Sequence, residues 1–155
     1  MSLKKEILLV EDDLLQIDTI RAIIHTLPSI DKLTVLQSGE EALAYLLPAQ
    51  PHQPQLESLP NLLLLDLNLP NLSGLEVLKQ LRQHSRTELL PIVMFTASGD
   101  EACRAEAYRL GVNSFVLKPV DIEQFTRAVA HMAIYWTAVN ESDNDDQTQG
   151  PLVVL

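Results

Sequence analysis

A length of 155 residues fits one domain with a sizeable core and leaves little room for a second. The formal net charge of −10 disfavours a nucleic-acid footprint and an anionic membrane surface, so neither is expected as a partner. The single cysteine, Cys103, allows no internal disulfide, and with no signal-type apolar region and no run of spanning length the expected setting is the cytoplasm.

Short apolar runs alternate with helical patterns. The first strand is predicted near 5–11, where Ile7-Leu8-Leu9-Val10 runs into Glu11, Asp12 and Asp13. A helix follows near 13–27 and stops before Pro28. The second strand falls near 33–37, and Ser38 is placed to cap a helix near 39–47. Residues 48–60, with Pro48, Pro51, Pro54 and Pro60, form a polar insertion expected to be an extended surface loop. Leu62-Leu63-Leu64-Leu65 predicts a third strand near 61–66, ending on Asp66 and a turn that runs to Gly74, with a helix near 74–84. Ile92-Val93-Met94-Phe95 predicts a fourth strand near 91–96 that ends on Thr96. Ser98-Gly99-Asp100 opens a helix near 100–110, with Gly111 at its C′ position. Phe115-Val116-Leu117 predicts a fifth strand near 114–117 that ends on Lys118, and Asp121 is placed to cap a last helix near 121–139. Residues 140–150 are polar and acidic and are expected to be flexible. Pro151-Leu152-Val153-Val154-Leu155 turns apolar and reads either as a free end or as a docking segment.

Strands alternating with helices predict βαβ units and a parallel sheet with helices on both faces. Right-handed crossovers leave a flavodoxin-like, doubly wound (βα)5 fold with strand order 2-1-3-4-5 as the best fit. The domain should span 4–139, followed by the acidic tail 140–155. In such a sheet the C-terminal strand ends share one edge, where ligands bind. Glu11, Asp12, Asp66, Thr96 and Lys118 all stand at that edge.

Each of these residues has a plainer reading: a helix cap, an acidic first turn, a solvated lysine. Together, at the same end of four strands, they point to one site. Three carboxylates repel one another unless protons or a cation intervene. Oxygen donors in a partly open, hydrated site suit Mg²⁺. Asp12 and Asp66 are the expected direct ligands, Glu11 is long enough to act through a water, and the Asn68 carbonyl can supply a neutral oxygen. A carboxylate beside Mg²⁺ with an ammonium opposite is also placed to accept a phosphoryl group. The Thr96 hydroxyl can then donate to a phosphoryl oxygen. His25, His52, His84 and His131 lack the close spacing of a metal site, and Cys103 reads as a packing residue.

These residues carry a resemblance. Ile7 to Asp13, Leu65-Asp66-Leu67-Asn68-Leu69-Pro70 through Gly74, Thr96-Ala97 and Lys118-Pro119 resemble, in order and spacing over 4–135, the receiver domain of two-component response regulators. The resemblance implies that Asp66 takes a phosphoryl group from a histidine kinase with Mg²⁺ bound. It implies that Thr96 and the aromatic at position 115 report the change. The family often has tyrosine there; Phe115 has no hydroxyl, so its signal would come from ring packing. The resemblance also implies a cis Lys118–Pro119 bond.

The insertion before the third strand, the Asp-Leu-Asn-Leu-Pro turn and Ile134-Tyr135-Trp136 resemble more narrowly the small receivers that pair with bacterial and cyanobacterial phytochrome kinases. The expected protein is therefore a stand-alone response regulator that signals by protein contact and is not an enzyme in its own right. The alternative is a small Mg²⁺-dependent phosphohydrolase of haloacid-dehalogenase type. Such enzymes usually carry a second Asp two residues after the nucleophile, where this chain has Asn68.

In the last helix Ile122, Phe125, Val129, Met132 and Trp136 recur at spacings of three and four. Phe125 and Val129 are expected to pack on the sheet. Ala128, Tyr135, Trp136 and Val139 are left as a partly outward apolar surface. With the phytochrome-partner resemblance, this predicts a homodimer through the last strand–helix face.

Overall fold

The computed structural model describes residues 4–47 and 58–141. Most of the proline-containing insertion and nearly all of the tail lie outside these residues. Five strands and five α-helices alternate: β1 Glu6–Val10, α1 Leu14–His25, β2 Lys32–Leu36, α2 Gly39–Leu46, β3 Leu62–Leu65, α3 Gly74–Arg82, β4 Ile92–Thr96, α4 Glu101–Arg109, β5 Ser114–Leu117 and α5 Ile122–Ile134. The strands form one parallel sheet in the order β2-β1-β3-β4-β5.

The sheet is apolar on both faces because strand side chains alternate between them. Leu8, Val10, Leu63, Leu65, Ile92 and Met94 pack on one side with α2 and α3. Ile7, Leu9, Leu62, Leu64, Val93 and Phe95 pack on the other with α1 and α5. The run of four leucines in β3 therefore serves both layers, two residues each, and all four are fully buried.

Side-chain caps set where the helices begin. Asp13 accepts from the Leu15 and Gln16 N–H groups, Ser38 from Glu41, Ser73 from Glu76, Asp100 from Cys103 and Asp121 from Gln124. Gly111 follows α4 with φ +98°, the left-handed conformation that ends a helix at little cost in glycine.

The last helix departs from the single helix expected over 121–139. After Ile134 the turns widen into a π-helical segment, Tyr135–Val139. The Asn140 N–H donates to the Tyr135 carbonyl at 2.6 Å, five residues back. The buried Thr137 hydroxyl donates to the Ala133 carbonyl at 2.6 Å. Tyr135 and Trp136 meet edge to face, 4.9 Å between ring centroids.

Candidate phosphoacceptor and metal site

Backbone pairing continues one residue past β1, β3 and β5 and sets the site's register. Val10 lies opposite Leu65, and the Asp66 N–H donates to the Val10 carbonyl at 3.1 Å, which brings Asp66 beside Glu11. The Lys118 N–H donates to the Thr96 carbonyl at 2.7 Å, so the lysine starts from the adjacent strand end. Gly74 is needed beneath the turn that follows Asp66. Its N–H donates to the Leu67 carbonyl at 2.9 Å, and a Cβ there would collide with the Asp66 carbonyl oxygen.

The acidic run 11–13 divides into three roles. Asp13 is the α1 cap. Asp12 is exposed. Glu11 is buried; its Oε2 accepts from the Asp12 and Asp13 N–H groups at 3.1 and 3.2 Å, and its Oε1 meets Lys118 Nζ at 2.5 Å. Carboxylate oxygens of Glu11, Asp12 and Asp66 lie within 4.8 Å of one another. Three hard oxygen donors, one of them open to water, fit a hydrated divalent cation of the Mg²⁺ kind.

The Lys118 side chain is 5% exposed, and its ammonium stands 3.7 Å from Asp66 Oδ2 and 5.7 Å from the centroid of the Phe95 ring. It is thus closer to Glu11 than to Asp66, and Glu11 engages it directly. Burial pushes the Glu11 carboxyl above the usual carboxylate range. Lys118 opposes that rise by hydrogen bond and charge, and the Asp66 charge adds to it. The peptide bond between Lys118 and Pro119 is trans, because no described peptide bond is cis. The cis bond expected from the resemblance is not found. Trans is the cheaper X–Pro isomer by about 0.5–1 kcal/mol, and Lys118 reaches both carboxylates with it.

Thr96 is fully buried, and its hydroxyl donates to the Ser98 carbonyl at 2.9 Å. Asn68 is exposed; its N–H donates to Asp66 Oδ1 at 3.3 Å and its side-chain amide to Ser98 Oγ at 2.6 Å. Phe115 is half-buried and packs against the layer beneath α3 and α4. Its N–H donates to the Tyr108 hydroxyl at 3.1 Å. Glu11, Asp12, Asp66 and Lys118 therefore meet directly, and Asn68 and Thr96 join through Asp66 and Ser98. Sequence reasoning assigns Ser98 to the turn that opens α4 and not to the site, although its place two residues after Thr96 is an available signal.

A five-stranded receiver-type sheet with this carboxylate cluster and lysine defines a class. The chain belongs to the response regulator receiver domain family, whose model matches residues 7–130. It is a receiver-domain response regulator of two-component signalling. Among its relatives, the probable methanogenesis regulatory protein FilR2 of Methanothrix harundinacea is 35% identical over 136 residues, covering 88% of this chain and 86% of that one. Response regulator Rcp1 of Synechocystis is 32% identical over 132 residues, 85% of this chain and 88% of its own. The Mn²⁺-bound structure of Rcp1 superposes with a TM-score of 0.76 at 31% identity, covering 88% of this chain and 97% of that one. The phosphorylated cyanobacterial phytochrome response regulator RcpA superposes with a TM-score of 0.81 at 29% identity, covering 90% of this chain and 98% of that one.

Proposed function

We propose that the domain over 4–139 is a phosphorylatable switch: Asp66 accepts a phosphoryl group from a phosphohistidine of a phytochrome-type histidine kinase, with Mg²⁺ as the resident cation. The observation that carries this reading is the setting of Asp66, with the Lys118 ammonium 3.7 Å from Oδ2 and the Glu11 and Asp12 carboxylates within 4.8 Å. An Asp66 oxygen attacks phosphorus, an O–P bond forms, and the N–P bond breaks with its electron pair passing to the imidazole. Lys118 holds positive charge beside the transferring oxygens. Asp12, Asp66 and the Asn68 carbonyl would hold the Mg²⁺, which when bound supplies charge neutralisation and a template for the transfer. Glu11 keeps Lys118 in place and adds charge to the cation site.

Once Asp66 is modified, Thr96 donates its hydroxyl proton to a phosphoryl oxygen in place of the Ser98 carbonyl, and Phe115 answers by ring packing. The pairing with a phytochrome-type kinase rests on the likeness to Rcp1 and RcpA. An open groove beside Lys118, lined by Leu15, Gln16, Pro119, Val120 and Ile122, offers the donor a surface. Leu15, Val120 and Ile122 are exposed apolar residues there. The switch signals by protein contact, and the last strand–helix face forms a homodimer contact; of the apolar surface expected there, Tyr135 is exposed beside Ile134, while Trp136 is half-buried against the core of α1 and α5.

Incubation with Mg²⁺ and acetyl phosphate, followed by intact mass, tests the reading. The native chain gains one phosphoryl group and Asp66→Asn gains none. Modification of Asp66→Asn to the native level overturns the assignment.

A further inference from the structure

The turn after β4 is tied to the turn after β3 by a bond that the phosphoryl transfer does not itself use. Asn68 Nδ2 donates to Ser98 Oγ at 2.6 Å. On one side of this bond, the Thr96 hydroxyl donates to the Ser98 carbonyl at 2.9 Å, and the Ser98 N–H donates back to Thr96 Oγ1 at 3.4 Å. On the other side, the Asn68 N–H donates to Asp66 Oδ1 at 3.3 Å. The Asp66 carboxylate is thereby linked through Asn68 and Ser98 to the Thr96 hydroxyl.

We propose that the Asn68–Ser98 hydrogen bond is a latch that holds the β4–α4 turn in its resting position and sets how readily phosphorylation throws the switch; the proposal rests on the reading of Asp66 as phosphoacceptor. A threonine hydroxyl has one proton to donate. Thr96 must therefore release the Ser98 carbonyl before it can bond a phosphoryl oxygen. Conversion of Asp66 to an acyl phosphate also removes charge from its remaining oxygen, which weakens that oxygen's hold on the Asn68 N–H. The same event loosens both ends of the chain of bonds. The middle bond is untouched by it and resists the movement.

The helix that follows the turn is mostly exposed. Among the residues of α4 only Ala107 is buried. Gly99, next to Ser98, lies over the Phe115 ring so closely that a Cβ there would sit 2.7 Å from Cζ. Displacement of the turn therefore changes the space open to Phe115. Asn68 and Ser98 are both exposed, so water competes for their bond and the effect is modest.

The test titrates the full chain with beryllofluoride, a phosphoryl mimic, in Mg²⁺, and follows the Phe115 amide by NMR. Ser98→Ala removes the acceptor while leaving Asp66, the proposed metal ligands and Thr96 in place. Asn68→Ala removes the donor and keeps the backbone carbonyl. Each single variant should bind the mimic about two- to fivefold more tightly, since a latch lost raises the competent fraction. The double variant should bind no more tightly than either single one, and Ser98→Thr, which keeps a hydroxyl, should match the native chain. A native chain that binds the mimic while Ser98→Ala binds it no more tightly, or a double variant whose effects add, overturns the latch alone. A native chain that takes no mimic at all overturns the phosphoacceptor reading and the latch with it.

Discussion

Glu11 is held by two backbone N–H groups and one ammonium in a setting nearly closed to water. Removing Lys118 would leave that carboxylate buried and uncompensated. Lys118→Ala should cost about 3 kcal/mol at neutral pH without divalent cation, read by urea unfolding. The loss should shrink as pH falls. The folded-state pKa of Glu11 lies above its ordinary 4.5, so the stability it contributes is full below that value and is lost as pH rises through the raised one. Taking away the ammonium raises it further, which widens that window upward. A loss that is flat from pH 5 to 8 would contradict this account. Asp12→Asn should act in the opposite sense. It should raise the melting temperature of the metal-free chain by easing repulsion, and reduce the further rise expected of the native chain when Mg²⁺ is added. Asp66, Thr96 and Lys118 were legible in the sequence because each interrupts an apolar run at a strand end. The direct Glu11–Lys118 pair was not, since it depends on which carboxylate the lysine meets after the strands have assembled. Ser98 reads from the sequence only as part of the turn that opens α4, because a serine in a turn looks the same whether or not a neighbouring turn lies within hydrogen-bond reach.

At the scale of elements, the strands and caps followed from local chemistry. Ser38, Asp100 and Asp121 cap the helices that the sequence assigned to them, and Gly111 takes the positive φ. The register that sets Asp66 beside Glu11 follows from β1 pairing with β3, a consequence of right-handed crossovers. The widened turn at Tyr135–Val139 had no such signal, because it ends the helix and too few residues follow it to reveal a shift of apolar phase. Gly74 makes the junction between β3 and α3 testable. Gly74→Ala must push the Asp66 carbonyl aside, at about 1–3 kcal/mol by denaturant unfolding. It should also slow acetyl phosphate labelling, because the displaced backbone carries Asp66, the proposed phosphoacceptor. Stability and labelling rate that both match the native chain would show that the turn does not need this close approach.

At the scale of the whole molecule, the two cores divide the labour. The layer with α1 and α5 carries Phe95 and Phe125, whose centroids lie 5.4 Å apart, close under Lys118. The layer with α2 and α3 is the one Phe115 packs against. The proposed homodimer is a property of this scale. Sedimentation should show a concentration-dependent dimer for the native chain and a monomer for Tyr135→Glu, which puts a charge on the exposed face of the last helix. A native chain that stays monomeric at tens of micromolar, with and without phosphodonor, would rule the contact out. The switch itself is tested most directly by locating its modification. After labelling with acetyl phosphate and Mg²⁺, borohydride reduces an acyl phosphate of aspartate to homoserine, and peptide mapping then finds the residue. The account predicts homoserine at position 66 and nowhere else; homoserine at another aspartate, or a phosphoryl group that resists reduction on a hydroxyl side chain, would contradict it.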